Sequence, residues 1–373
     1  MPCSSARFAM SEPIVSIVIR NYNYGRFLRD AVDSALAQSY PHVEVIVVDD
    51  GSTDDSRSII AQYGCRIASV LKENGGEGSG VNAGFAASHG DIVIYLDSDD
   101  TLRPEAAECA VRAFDSGVVR VQYPLTLMNA EGQPLGSDTP IVRLPPDRMA
   151  AYTLQGIVIE RAPTSGNAFA REFLRKVLPM AEAEWPRAAD AYLCTLATFS
   201  GGLATLSQPL GFYRVHASNL TASTTFDLKR VRATLREGEP LVRLIERFAG
   251  ENGLKVRGNW MLWNPSHVAA RLVSLKLEPE KHPFGGETTL GLAVQGIRAS
   301  VRHPLFTLRK RIFYVAWFTL VLALPRAAVE RLMKLKLKVA FEGRFRRVLG
   351  TRSRAGNDGK AGAEYTSAAN ASL

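Results

Sequence analysis

Cysteine is scarce and badly placed for any shared task. Cys3, Cys65, Cys109 and Cys194 lie far apart and form no C-x-x-C pair. That argues against a zinc site and a disulfide framework, and fits a reducing, cytoplasmic compartment. No run reaches about 18 consecutive apolar residues, so no spanning helix is expected. The first dozen residues lack the long apolar core of a secretory signal. No G-x-G-x-x-G follows the first apolar run, which disfavours a NAD-dependent Rossmann enzyme. No internal repeat and no nucleic-acid-binding motif stand out, so no nucleic-acid partner is expected.

What remains is an ordinary globular composition, 46% apolar and 22% charged, with an uneven charge distribution. Between Arg298 and Arg354, fifteen Lys and Arg face two acids, Glu330 and Glu342. This stretch carries +13; within a total of +8, the rest of the chain carries −5. The basic character belongs to the C-terminal region, where it suits an anionic lipid surface or an acidic partner.

Short apolar runs at Val15–Ile19, Val43–Val48, Ile67–Leu71 and Asp91–Leu96 read as strands. Between them lie helix signals: an apolar face at Leu28, Val32, Ala35 and Leu36, a helix start at Ser52–Asp55, and a Gly-rich loop, Asn74 to Gly80, leading into a helix that ends at Gly90. Such alternation predicts a mostly parallel sheet with helices on both faces, whose ligands lie beyond the carboxyl ends of the strands. Two strands end there in acids: Val47-Val48-Asp49-Asp50 and Tyr95-Leu96-Asp97-Ser98-Asp99-Asp100. Crowded carboxylates raise one another's pKa unless a partner is present. One or two carboxylates plus substrate phosphates suit Mg²⁺. Further on, 171–178 and 188–199 read as helices, Leu203–Leu206 and Leu210–Arg214 as strands, and 227–277 as helical.

In order and spacing, several segments resemble the inverting, nucleotide-sugar-dependent glycosyltransferases of family 2, which have the GT-A fold. They are Val15 to Ile19, Asn21-Tyr22-Asn23, Ser34 to Gln38, Val47 to Asp54, Glu73 to Gly76, Asn82-Ala83-Gly84, Gly90-Asp91 and Leu96 to Asp100. A weaker continuation runs through Thr164 to Asn167, Asp190 and Tyr213-Arg214-Val215-His216. The resemblance implies metal (Mn²⁺ or Mg²⁺), diphosphate and ribose contacts shared among Asp97, Asp99 and Asp100, with Asp99 and Asp100 as metal ligands. It implies Asp50 as acceptor from the nucleotide base, usually uracil N3–H, and Tyr22 as the aromatic packed on that base. Asp49 either caps the following turn or touches ligand. Asn74 and the glycines after it approach the nucleotide, and Ser165, Gly166 and Asn167 line the acceptor pocket. Asp190 takes the place of the general base, with Glu182 and Glu184 as rivals. His216 contacts metal or diphosphate, and Arg214 the diphosphate.

Three departures matter. Arg20 stands at the nucleotide edge where the family commonly has Pro, Val81 where Arg is frequent, and Ala189 where an acid often precedes the base. The Gln-x-x-Arg-Trp signature of processive synthases is absent, which points to one sugar added per encounter.

The expected organisation is a flexible leader (1–12), a GT-A domain (13–225), a helical basic extension (226–350) and a disordered tail (351–373). In the extension, Ile312 to Pro325 is apolar and aromatic behind Arg309-Lys310-Arg311. It reads either as a helix in the membrane interface, peripheral on the inner face of the plasma membrane, or as a core helix. Lys334, Lys336 and Lys338 alternate with Leu335 and Leu337, which also suits an edge strand. The expected partners are a nucleotide-sugar donor and a glycan or lipid-linked acceptor in cell-surface polysaccharide synthesis. The alternatives are a nucleotidyltransferase or a catalytically inactive sugar-nucleotide-binding or membrane-docking protein.

Overall fold

The structure, a computed structural model, describes residues 12–159, 161–216 and 227–334. Nearly all of the expected leader, the boundary at 225/226, Leu335 to Lys338 and the expected tail lie outside the described residues.

The four predicted strands form as β1 (Val15–Asn21), β2 (Val43–Asp50), β3 (Ala68–Lys72) and β4 (Ile92–Asp97). Helices α1 (Gly25–Leu36), α2 (Ser56–Tyr63) and α3 (Gly76–Ala87) connect them. Next come β5 (Thr101–Leu102), α4 (Ala106–Ala113), β6 (Val118–Gln122), β7 (Thr126–Met128), β8 (Pro134–Asp138), α5 (Pro146–Leu154) and β9 (Asn167–Ala170). Helices α6 (Arg171–Val177) and α7 (Ala189–Ser200) and strands β10 (Gly202–Thr205) and β11 (Gly211–Arg214) follow. The seven-stranded sheet runs β10-β6-β9-β4-β1-β2-β3, and a smaller sheet runs β5-β11-β7-β8. In the large sheet only β9 is antiparallel to its neighbours β4 and β6. Its starting end therefore reaches the rim where β4 and β6 finish.

Strand side chains alternate between faces, and the two faces fill two cores. Ile17, Ile19, Val45, Val47, Ile94 and Leu96 pack under Leu28, Val32, Ile59, Ile60 and Ala107. Val18, Ile46, Val48, Val93 and Tyr95 pack on the other side with Val81, Phe173, Leu174 and Leu193. This is the expected mostly parallel sheet covered on both faces.

Two local expectations shift. The second helix starts at Ser56, not within Ser52–Asp55, because Asp54 bridges outward: its Oδ2 accepts from Gly25 N at 2.9 Å and its Oδ1 from Ser56 N at 3.0 Å. The Gly-rich loop is largely the first turns of α3. Small residues are needed there because a Cβ at Gly76 would sit 2.7 Å from the Pro186 carbonyl oxygen, and one at Gly78 2.7 Å from that of Trp185.

The extension is helical: α8 (Leu228–Glu237), α9 (Glu239–Glu251), α10 (Pro265–Leu277), α11 (Thr289–Arg302) and α12 (Leu308–Ala323). Leu244 of α9 joins the α7-side core, and Phe248 stacks on Phe199 at 4.8 Å. Helices α10, α11 and α12 build a third core around Leu272, Val273, Leu292, Trp317, Phe318 and Val321. Residues 326–334 are helical, and Lys334 is the last described residue of the stretch expected to alternate. Among the described residues no helix is long and apolar enough to cross a membrane.

His267 and His303 are among the histidines packed into this bundle. Burial and neighbouring cations push His267 from 6.5 down to about 3 and His303 down to about 4. Below pH 6.5 the unfolded chain takes up protons that the folded chain refuses. Stability conferred by neutral burial is therefore full above about pH 6.5 and lost as pH falls toward the folded values. The melting temperature should drop between pH 6.5 and 4, and a double His267→Gln, His303→Gln variant should flatten that slope.

Candidate active site

The same alternation that fills the cores sorts the acids. Asp50 and Asp97 share parity with Val48 and Tyr95, so they lie on the α3/α7 side. Asp49 lies on the α1/α2 side, fully buried. Asp49 accepts from Asn21 Nδ2 at 3.0 Å, Ser52 N at 3.0 Å and Arg57 Nε at 2.8 Å. Of its two roles it performs the capping one, and these donors hold its pKa below the usual range despite burial.

Asp50 organises the loop after β3. Its Oδ1 accepts from Lys72 Nζ at 2.6 Å and Gly75 N at 2.9 Å, and its Oδ2 from Gly76 N at 2.8 Å. A carboxylate offers about four acceptor sites, so one remains on Oδ2. Asn74 turns inward: its Nδ2 donates to the Asp50 carbonyl at 2.9 Å. Tyr22 stands at the same rim, 47% exposed, its ring open to a flat partner.

The β4 end is braced from across the fold. Asp100 is buried; its Oδ2 accepts from Ser165 Oγ at 2.7 Å and its Oδ1 from Arg214 N at 2.9 Å. Ser165 Oγ also accepts from Asp97 N at 3.0 Å. Arg214 does not stand ready for a diphosphate. Its guanidinium donates to the carbonyls of Asp99 and Ala130 at 2.8 and 2.9 Å and to Asp30 Oδ2 at 2.7 Å. His216 sits against Phe27 at 4.8 Å, with Nε2 3.0 Å from Asp99 Oδ2 and Nδ1 3.3 Å from Arg26. Burial and mutual repulsion raise the pKa of Asp97, and raise that of Asp100 well above the carboxylate norm.

Among the described residues no three His, Cys, Asp or Glu side chains converge into a metal cage. A cation that arrives on a diphosphate needs only one or two carboxylates. Asp99, oriented from behind by His216, fits that demand better than the enclosed Asp100. A bound divalent ion would supply charge neutralisation to the leaving diphosphate.

On the α7 side, Asp190 lies in the first turn of the helix. The turn is entered through Ala188 at φ 57°, a left-handed conformation that costs a non-glycine residue about 1–2 kcal/mol. Asp190 and Arg20 line one small cavity with Val81, Tyr95, Thr164 and Leu193. Glu182 is engaged elsewhere, accepting from Asn82 Nδ2 at 3.1 Å. Asn167 is buried and accepts from Arg120 Nε at 2.9 Å, so it braces β9 and β6. Two partners escaped the sequence reading. Asp30 anchors Arg214, and Glu77 pairs with Arg20 at 3.9 Å. Asp30 sits in no motif and Glu77 lies inside the Gly-rich segment, but only the fold shows what they meet.

The fold and the acid-lined rim are those a glycosyltransferase domain needs. Residues 16–177 match the family model of glycosyl transferase family 2, which places that segment in the family. It is 36% identical over 211 residues, 55% of its length, to an uncharacterised glycosyltransferase of Nostoc sp., spanning 66% of that protein. It is 28% identical over 240 residues, 62% of its length, to the succinoglycan biosynthesis protein ExoO of Rhizobium meliloti, spanning 68% of it. The chain thus spans just under two thirds of the Nostoc relative, and 30% or less of several others it matches. Among solved structures, TarS of S. aureus (residues 1–349) with UDP-GlcNAc aligns over 81% of this chain and 89% of that one. Its TM-score is 0.44 and its identity 19%.

Proposed function

We propose that the chain transfers a sugar from a nucleotide donor, UDP-linked, to a glycan or lipid-linked acceptor with inversion at the anomeric carbon. Residues 13–225 form the catalytic unit. The observation that carries this reading is the gathering of Asp50, Asp97, Asp99 and Asp190 on one sheet rim from three separate segments, the ends of β2 and β4 and the start of α7. Asp50 takes the base N3–H on its remaining lone pair, Tyr22 covers the ring, and Asn74 shapes the loop between them. Asp97 lies toward the ribose and diphosphate, Asp99 and Asp100 toward the metal, with His216 behind Asp99. Asp190 accepts the proton of the attacking hydroxyl. Mn²⁺ or Mg²⁺ is the proposed cofactor. Likeness to ExoO supports a polysaccharide role in the cell envelope.

The base assignment has a direct test. Asp50→Ala should weaken UDP binding by about 1–3 kcal/mol, the scale of a lost buried hydrogen bond. Competition calorimetry in which GDP outcompetes UDP would defeat the uridine assignment.

A lipid-linked acceptor fits the outer side of the extension, which works as a peripheral contact within 298–354. Tyr314, Trp317, Phe318 and Val321 turn into the third core, but Leu308, Ile312, Phe313 and Leu320 of α12 are exposed. They recur at helical spacing beside Arg309 and Lys310, an apolar stripe with cationic flanks that suits an anionic lipid surface. Each basic residue near such a surface adds about 1 kcal/mol. Truncation before Arg298 would cut α11 and dismantle the core, so point substitutions are the right probe. A Leu308→Ser, Ile312→Ser, Phe313→Ser variant should lose flotation with phosphatidylglycerol liposomes while keeping its melting temperature. Unchanged flotation, or none by the parent at low salt, would leave α12 a core helix only.

A further inference from the structure

Strand register sets Arg20 among the acids of the α3/α7 side of the rim, as it sets Lys72 beside Asp50. Arg20 lies opposite Val48 on β2 and Asp97 on β4, and it shares parity with Val18, so its side chain turns toward α3 and α7. There it is enclosed, with 10% of the side chain exposed. One terminal nitrogen pairs with Asp97 Oδ1 and reaches Thr164 Oγ1 at 3.5 Å; the other lies 3.9 Å from Glu77 Oε2. The same Glu77 oxygen accepts from Ala189 N at 3.2 Å. That amide is in the first turn of α7, one residue before Asp190. Two backbone bonds fasten the same junction, Glu77 N to Pro186 O at 3.1 Å and Gly78 N to Trp185 O at 3.0 Å.

A chain of contacts therefore runs from Asp97 through Arg20 and Glu77 to the residue beside Asp190, its Arg20–Glu77 link an ion pair and the others hydrogen bonds. Its two middle members meet two of the sequence's departures. Arg20 replaces a Pro that could make no such contact. Glu77 brings a carboxylate to the backbone at position 189, where the side chain is only Ala. Helix N-terminal amides favour an anion, and a charged acceptor bond to one of them is stronger than a neutral bond.

We propose that Glu77 and Arg20 are positioning residues, coupled as a pair, that hold the base-bearing turn of α7 at a fixed distance from the diphosphate-side acid Asp97. The proposal rests on Asp190 being the base. Neither residue takes up the transferred proton. Glu77 fixes where α7 begins, and Arg20 sets the spacing between the two carboxylate-bearing edges. Misplacing a reacting group by about 1 Å can cost on the order of 10²-fold in rate. The loss should therefore fall on kcat and spare donor affinity.

The test uses the full chain, with Mn²⁺-dependent release of UDP from the nucleotide sugar hydrolysed fastest by the parent protein. Binding of UDP with Mn²⁺ is measured by calorimetry. Glu77→Ala should lower kcat by roughly 10–100-fold with the UDP dissociation constant within about twofold. Glu77→Gln, which still accepts from Ala189 N, should recover part of the loss, and Arg20→Lys should outperform Arg20→Met. The double variant Arg20→Met, Glu77→Gln should be less impaired than the product of the single effects. Full activity in Glu77→Ala, strictly multiplicative effects, or an equal loss of kcat and UDP affinity would each overturn the proposal. An inactive Asp190→Asn beside a fully active Glu77→Ala defeats the pair and spares the base; an active Asp190→Asn removes the base itself. If Glu77→Ala melts early, the Gln and Lys variants carry the decision.

Discussion

Asp190→Asn should leave an enzyme that binds its donor and barely turns it over. The amide keeps the shape and much of the hydrogen bonding but cannot accept a proton at neutral pH. The fall in kcat should be about 10²–10⁴-fold, the usual contribution of a general base. Donor affinity should hardly change, because Asp50 and Tyr22 stand on other elements of the rim. Product anomers read by NMR give the second measurement: a direct displacement assisted by one base inverts the anomeric centre. A retained configuration, or full activity in Asp190→Asn, would mean the wrong residue or the wrong mechanism. Glu184 would then be the next acid to substitute.

Removal of Asp99 should abolish transfer and Mn²⁺-dependent binding of UDP while the fold survives. Asp99 has His216 behind it and is less enclosed than Asp100. Asp100→Ala should also abolish transfer, but for a mixed reason. It strips the acceptors from Ser165 Oγ and the Arg214 amide. Leaving buried donors unpaired costs about 1–3 kcal/mol each, so this variant should melt earlier than Asp99→Ala. Calorimetry with and without Mn²⁺, beside thermal melts, separates the two. Unchanged metal-dependent binding in both variants would take them out of the metal site.

Much of this was legible in the sequence because it is local. Strand β4 and its terminal acids occupy nine consecutive residues, Ile92 to Asp100, and period-two alternation already separates Asp49 from Asp50. Helix α7 and the place of Asp190 followed from the short motif around them. What escaped depends on distance along the chain. Glu77 meets Ala189 across 112 positions, and Arg214 meets Asp30 across 184. A sequence also cannot say which side of an apolar helix is spoken for. The aromatic run of α12 divides between core and surface only once α10 and α11 are in place. The glycines that open α3 looked like a nucleotide loop, yet at Gly76 and Gly78 their small size is set by the backbone of residues 185–186.

The loop wrapped around Asp50 has a kinetic consequence. Lys72, Gly75 and Gly76 all converge on one carboxylate through bonds the protein makes by itself. The corner proposed to meet the nucleotide base is thus ordered in advance, and little loop entropy is left to lose on association. Capture of the base at this corner becomes a docking event, not a folding one. Its observed rate should rise in proportion to nucleotide concentration, without the plateau that a slow ordering step imposes.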